Sequence, residues 1–361
     1  PPLLAEAFGA PVRGAAGGVA PGRVLFRVNV DDTAHPDARC NDGTPAAFFV
    51  RRHGDEALAR HWHISLQGGG GCFDGPSCAR RWKSRETNFG GDKMTTSLLP
   101  DNGIFAGGAF SPDAARNRLA GWNHVFIYYC SSDNWRGTRA DVALAAGEDG
   151  QGAYRAHFQG ANILNAVVKS LQRGNGLPVA YRDGDGAQFE LPDLDEATTV
   201  LFSGTSAGSA GVAVHADRLH AALRRDNAHC AEVGPCALDF RAWLDAGYDP
   251  RFEDRDYSGT TLCAEAGLCS HEALMRQQWD DVQQGTFGAL TDASCLAAHA
   301  EPKAWLCADG VHLIEHHLTA PFFLRQDQQD TLKRGNYVES GFGSADDFGR
   351  RVHEQSLQLA D

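Results

Sequence analysis

The chain has 361 residues, 42% of them hydrophobic and 22% charged, with a formal net charge of −13 and ten cysteines. That composition belongs to a globular protein long enough for one large α/β domain or two small ones, and no apolar run approaches the roughly 20 residues of a membrane span. The acidic balance argues against nucleic acid as a partner, because phosphate binding calls for a basic surface.

Residues 1–22, rich in Ala, Gly and Pro, read as an extended N-terminal arm. They carry neither an initial Met nor a basic stretch followed by an apolar core, so any signal peptide is expected to be absent or already removed. "WHISLQGGGGCFDGPSC" (62–78) reads as a short strand, His63 to Gln67, running into four glycines. Acyl transfer needs amide donors aimed at a developing oxyanion, and a glycine-rich loop after an early strand is one source of them, which makes Gly69 and Gly70 candidates. The next segment, "RRWKSRETNFGGDK" (80–93), is locally basic through Arg80, Arg81, Lys83, Arg85 and Lys93. It reads either as a solvated loop or, because it follows the glycines directly, as a contact for an acidic substrate, with Arg80 and Arg81 foremost. "YRDGDGAQFELPDLDE" (181–196) is acidic and glycine-rich and predicts a surface hairpin or loop.

"ATTVLFS" (197–203) is β-branched and apolar, as a buried parallel strand should be, and "GVAVHADRLHAALRR" (211–225) has apolar residues at helical spacing. Between them stands Gly204-Thr205-Ser206-Ala207-Gly208, the G-x-S-x-G form of a nucleophile elbow, in which a sharp strand-to-helix turn projects a serine hydroxyl. In a chain with 41 glycines the pattern alone is weak, and its flanks carry the reading. Ala207, the residue after the nucleophile, supplies the other candidate oxyanion amide. Residues 226–310, rich in cysteine and short helical patterns, read as a cap inserted before the last core strand of a single domain, 1–361. "HLIEHH" (312–317) lacks a companion carboxylate or cysteine pattern and reads as a helix surface, so neither a metal nor an organic cofactor is expected.

In "APFFLRQDQQD" (320–330) a late buried strand precedes Asp327 and Asp330, either of which has the spacing of a triad acid. Beyond residue 330 the chain contains one histidine, His353, inside "DDFGRRVHEQSLQLAD", a terminal helix pattern. The order serine, acid, histidine makes it a candidate base, although a helix-face histidine is more often simply exposed. The even cysteine set includes the pairs 72/78, 230/236 and 263/269, and their C-x5-C spacing departs from that of zinc sites. Disulfides and an oxidising compartment, secreted or periplasmic, follow.

Six blocks, in order, resemble the pectin acetylesterase family of Notum-like serine carboxylesterases: "CNDGTPAAFFVRR" (40–52), "LQGGGGCFDGPSCARR" (66–81), "WNHVFIYYCSSDNWRG" (122–137), "SGTSAGSAG" (203–211), "LDAGYDP" (244–250) and "APFFLRQDQQD" (320–330). The resemblance implies an α/β-hydrolase-like fold, a mostly parallel central sheet flanked by helices with a cysteine-rich helical cap. It also implies hydrolysis of an O-acyl ester, acetyl above all, on a polysaccharide such as pectin. By resemblance Ser206 is the nucleophile, Asp330 rather than Asp327 the acid, and Gly69, Gly70 and Ala207 the oxyanion positions. The resemblance further suggests the disulfides Cys40–Cys130 and Cys72–Cys78. The family's histidine sits in a segment like A-P-x-C-x-x-H after the last helix, where this sequence reaches Asp361, so that histidine is expected past residue 361 unless His353 replaces it. Relatives usually carry aromatic residues where this chain has Gly70-Gly71, which favours a more open site and keeps a broad carboxylesterase acting on small esters as an alternative. A third reading is a binding protein that keeps the fold without turnover.

Overall fold

The computed structural model describes residues 23–84, 90–101, 103–145, 153–173, 180–182, 188–230, 236–300 and 302–359, so the proposed arm 1–22 lies outside the described residues. In chain order the strands are β1 (Val24–Asn29), β2 (Ala47–Arg51), β3 (His61–Leu66), β4 (Ile104–Phe105), β5 (Asn123–Ile127), β6 (Arg139–Leu144), β7 (Tyr154–Phe158), β8 (Ala180–Arg182), β9 (Gln188–Glu190), β10 (Thr199–Thr205), β11 (Asp239–Asp245) and β12 (Phe322–Arg325). Eight of them make one sheet in the order β12-β11-β10-β3-β5-β2-β1-β4. The run from β12 to β5 is parallel, and β2, β1 and β4 extend it antiparallel. This is the α/β-hydrolase-like sheet that the sequence predicts. Its inner strands are apolar because both faces are covered: every residue of β2 and β5 is buried, Phe48, Phe49 and Val125 among them. Each such side chain contributes roughly 1.5–3 kcal/mol on burial.

The helices are α1 (Gly75–Lys83), α2 (Gly160–Ser170), α3 (Ala207–Asp226), α4 (Thr261–Ala266), α5 (His271–Gln277), α6 (Ala293–Ala298), α7 (Gly310–His316), α8 (Thr331–Glu339) and α9 (Ala345–Gln358), with a π-helical stretch, Gln278–Phe287, continuing α5. α3 packs on the sheet through Val212, Ala216, Leu219 and Leu223, whose spacings of three and four residues keep them on one helix face. Residues 181–196 do contain a hairpin, β8 paired antiparallel with β9.

The cap boundary needs correction. Asp239–Asp245 is the core strand β11, hydrogen-bonded between β10 and β12, with Phe240, Ala242 and Leu244 buried in alternation. Its polar residues alternate with these, Asp239 and Arg241 lying exposed. The short helices begin at Thr261. They are closed by Cys263–Cys269 and Cys295–Cys307 and rest on α3 through a cluster of Val214, Trp279, Leu313 and the Cys295–Cys307 pair. All ten cysteines are paired, as in proteins of an oxidising compartment. Among the described residues no helix is long and apolar enough to cross a membrane.

Candidate active site

β10 ends at Thr205 and α3 begins at Ala207, which leaves Ser206 to make the whole turn. Its backbone lies at φ 55°, ψ −118°, a conformation that costs a non-glycine residue about 1–3 kcal/mol and persists where the surroundings enforce it. The enforcement is visible: the Ser206 amide donates to the Asp245 carbonyl at 2.8 Å, and its carbonyl accepts from the Ala210 amide at 3.1 Å. A Cβ at Gly204 would lie 2.2 Å from the Gly208 carbonyl oxygen, so strand and helix close on one another only because glycine stands there. Ser206 makes no capping bond with its side chain. The hydroxyl is half-buried and sits where the unpaired first-turn amides of α3, Ala207 first, point their positive end.

β3 lies directly beside β10, in register from Thr199↔His61 to Gly204↔Leu66, so the loop leaving β3 must pass the elbow. Gly68 is the residue in contact: a Cβ there would be 2.2 Å from the Thr205 carbonyl oxygen and 3.1 Å from Ser206 Cβ. Gly69 and Gly70 follow with φ of 141° and 66°, a reversal that glycine adopts without strain. The loop is held from outside by "YCSSDNWRG". Trp135 Nε1 donates to the Gln67 carbonyl at 3.0 Å and the Tyr129 amide to Gln67 Oε1 at 3.0 Å. The Cys72 amide donates to the Ser132 carbonyl at 3.1 Å. Cys40–Cys130 and Cys72–Cys78 fix the two ends of this support. Its centre is Asp133, a buried carboxylate that accepts from Ser131 Oγ at 2.7 Å, the Trp135 amide at 3.0 Å and the Gly160 amide at 2.7 Å. Burial outweighs those donors and pushes its pKa up to about 6.

The other sequence candidates fall at unequal distances from this centre. Asp330 caps α8, Oδ1 accepting from the Leu332 and Lys333 amides at 3.1 and 3.0 Å, while Oδ2 faces Gln326 Nε2 at 3.4 Å. Asp327 is exposed and occupied by the Gln329 amide at 2.8 Å. Both follow β12 at the C-terminal edge of the parallel strands, the same edge as Ser206. His353 is not brought to them. It lies exposed on α9, Nδ1 at 3.3 Å from Gln328 Nε2, and no hydrogen bond links it to Ser206 or Asp330 among the described residues. The helical period explains this: Phe348 and Val352 face inward on α9, which turns the adjacent residue outward.

The basic run divides in the same way. Arg80 and Lys83 are exposed on α1, whereas Arg81 is 6% exposed with its guanidinium 6.0 Å from the Tyr129 ring centroid, and Lys93 is 7% exposed with its ammonium over Tyr128. Arg81 therefore supports the loop from within and does not face a substrate. Arg85 lies outside the described residues. Sequence reading passed over Asp245, which at the end of β11 binds the elbow by its carbonyl, accepts from Thr205 Oγ1 at 3.3 Å and pairs with Arg325 at 2.8 Å. Its register partner, Thr205, places it beside the elbow.

Parallel sheet, strained serine elbow and glycine loop in contact define an α/β-hydrolase-like fold. A family model described as pectinacetylesterase matches residues 24–182. The palmitoleoyl-protein carboxylesterase NOTUM of Drosophila melanogaster is 31% identical over 307 residues, covering 84% of this chain and 37% of that protein. Its human counterpart of the same name is 27% identical over 290 residues, covering 80% and 48% respectively. The chain thus spans less than half the length of these curated relatives. A solved structure of the Wnt deacylase Notum from Drosophila shares the fold, with a TM-score of 0.66 over 92% of this chain and 81% of that one, at 24% identity. Over residues 24–182 the chain matches the pectinacetylesterase family.

Proposed function

We propose that the protein is a serine carboxylesterase that removes O-acyl groups, acetyl foremost, from a polysaccharide such as pectin through an acyl-enzyme. The observation that carries the reading is the elbow: a serine at φ 55°, its hydroxyl unused in capping, pressed against Gly68 of the glycine loop. In this reading Ser206 attacks the ester carbonyl, and an imidazole takes its proton and returns it to the leaving alcohol. Asp330 orients that imidazole through Oδ2, the oxygen left over from capping α8. His353, as placed, does not serve as the imidazole. The Ala207, Gly69 and Gly70 amides receive the oxyanion, each such donor being worth roughly 10²–10³ in rate.

A polar substrate is supported by the cavity of about 280 Å³ beside the loop, lined by Gly71, Asn134, Arg136, Gln278 and Gln283 among others. Amide and guanidinium groups suit a hydroxyl-rich ligand better than an acyl chain. The exposed Arg80 and Lys83 favour an acidic polymer, to a smaller extent than a fully exposed run would. A broad esterase of small neutral esters is the second reading, favoured by the absence of side chains at Gly70 and Gly71.

A fluorophosphonate probe tests the serine first: labelling confined to Ser206 is expected, and an unlabelled protein would leave only the binding reading. Release of acetate from acetylated pectin, compared with hydrolysis of an aryl acetate, then separates the substrates. Neutralising Arg80 and Lys83 together should weaken turnover of the polymer alone; equal loss on both substrates removes the electrostatic part of the reading.

A further inference from the structure

The stapled helices after Thr261 hold a second cluster of chemistry, distinct from the serine site. Three histidines converge there. His299 closes the C-terminal end of α6, His312 stands in the first turn of α7, and His317 follows its end. One ligand-type atom from each, with Cys295 Sγ, lies within 4.8 Å of all the others. Cys295 is tied to Cys307 and is no thiolate ligand, so the donor set is three imidazoles. The sequence reading of "HLIEHH" as a helix surface fails here: His317 is 8% exposed, and His312 and His299 are half-buried.

The protonation pattern can be read from the hydrogen bonds. Ser294 Oγ donates to Asp292 Oδ1 at 2.6 Å, and its one proton is thereby used. The same oxygen lies 3.0 Å from His317 Nδ1, so it accepts and Nδ1 carries the hydrogen. His317 Nε2 is then a bare lone pair, and it is buried with no hydrogen-bond partner among the described residues. A carboxylate–hydroxyl–imidazole relay that fixes the tautomer and leaves the other nitrogen pointing inward is the outer shell a metal-binding histidine uses. The remaining two nitrogens fit the same demand. His312 Nε2 and His299 Nε2 are 3.0 Å apart, close to the ~3.3 Å that separates two ligands on tetrahedral bonds of about 2.0 Å.

We propose that His299, His312 and His317 form a three-imidazole site for a divalent transition cation of the zinc class. Imidazole donors without carboxylates select such ions over magnesium or calcium. The cation joins the end of α6 to both ends of α7 and, through Leu313 and Val214, stiffens the seat of this segment on α3.

The test uses untagged, disulfide-intact protein, stripped with chelator, equilibrated with Zn²⁺ or Co²⁺ and desalted. Elemental analysis should give one zinc per chain, and cobalt should give the strong visible bands of a tetrahedral site. His317→Ala and His299→Gln should each lose the stoichiometric metal and the bands, while His353→Ala, on another surface, keeps both. Zinc should raise the melting temperature of the wild type and leave that of His299→Gln unchanged. If His317→Ala fails to fold, the half-buried His299→Gln decides alone. Wild-type protein that retains no more zinc than His299→Gln, or cobalt spectra identical in the two, overturns the proposal and leaves a hydrogen-bonded histidine pair.

Discussion

The elbow at the edge of the sheet and the stapled helices after Thr261 are built on opposite principles. At the elbow the backbone does the positioning: Ser206 is held by main-chain bonds to Asp245 and Ala210, and Gly204 and Gly68 matter for the side chains they lack. In the helical segment, side chains from separate helix ends converge, and disulfides replace the sheet as the frame. Backbone-made sites are rigid and intolerant of added atoms, whereas side-chain-made sites tolerate change around them and depend on the staple. This contrast predicts unequal responses to substitution.

The largest expected effect is at the elbow. Ser206→Ala should lower ester turnover by roughly 10⁴- to 10⁶-fold and abolish fluorophosphonate labelling, while thermal melting shifts by less than about 1 kcal/mol in stability. Appreciable residual labelling would place the nucleophile elsewhere. Asp330→Asn, which keeps the cap on α8 but changes the partner offered to an imidazole, should cost on the order of 10⁴-fold in kcat. Gly68→Val comes next. Its Cβ must displace the Thr205 carbonyl that now lies 2.2 Å away, so turnover should fall by roughly 10²-fold through misplacement and stability by about 1–3 kcal/mol through overpacking. Wild-type kinetics in Gly68→Val would show that the loop does not constrain the serine.

The same contrast explains what the sequence disclosed. Ser206, Gly204 and the glycine run are consecutive residues in a strand-turn-helix context, so local pattern was enough. The late strand with Asp330 behind it was legible in chain order, although the service of Asp330 as the cap of α8 was not. His353 misled because chain order says nothing about helix phase, and Phe348 and Val352 had already claimed the inward face of α9. Arg81 misled in the same way: Cys78 and Ala79 point α1 inward, and the guanidinium follows them under Tyr129. The strand Asp239–Asp245 fell inside the cysteine-rich stretch 226–310, and only its pairing between β10 and β12 assigns it to the core. The three histidines were illegible because 299, 312 and 317 meet only after the Cys295–Cys307 fold-back brings two helix ends together.

Removing that staple tests the other half of the comparison. Cys295→Ser with Cys307→Ser opens a bridge between residues 12 apart, and should cost roughly 2–3 kcal/mol by chemical denaturation. kcat on an aryl acetate should remain close to wild type, since the elbow draws nothing from the bridge. A parallel collapse of turnover would mean that the two regions are mechanically one.

The last effect is the pH response of Asp133, where burial and hydrogen bonding compete beneath the glycine loop. Burial raises its pKa to about 6 from an ordinary 3.8. Between those values the folded chain holds a proton that the unfolded chain has released, so stability falls as pH rises through the window and is fully gained below it. Asp133→Asn cannot titrate. It also turns an amide donor toward either the Gly160 amide or the Ser131 and Trp135 donors, and should be less stable by about 1–3 kcal/mol at pH 7. The gap between wild type and Asp133→Asn should then widen as the pH falls from 7 to 4, by at most about 3 kcal/mol at 1.36 kcal/mol per unit. Denaturant midpoints of both proteins across that range give the slope. A gap that narrows toward acid would show that the three donors outweigh burial, making the support of the glycine loop an anion-binding cradle.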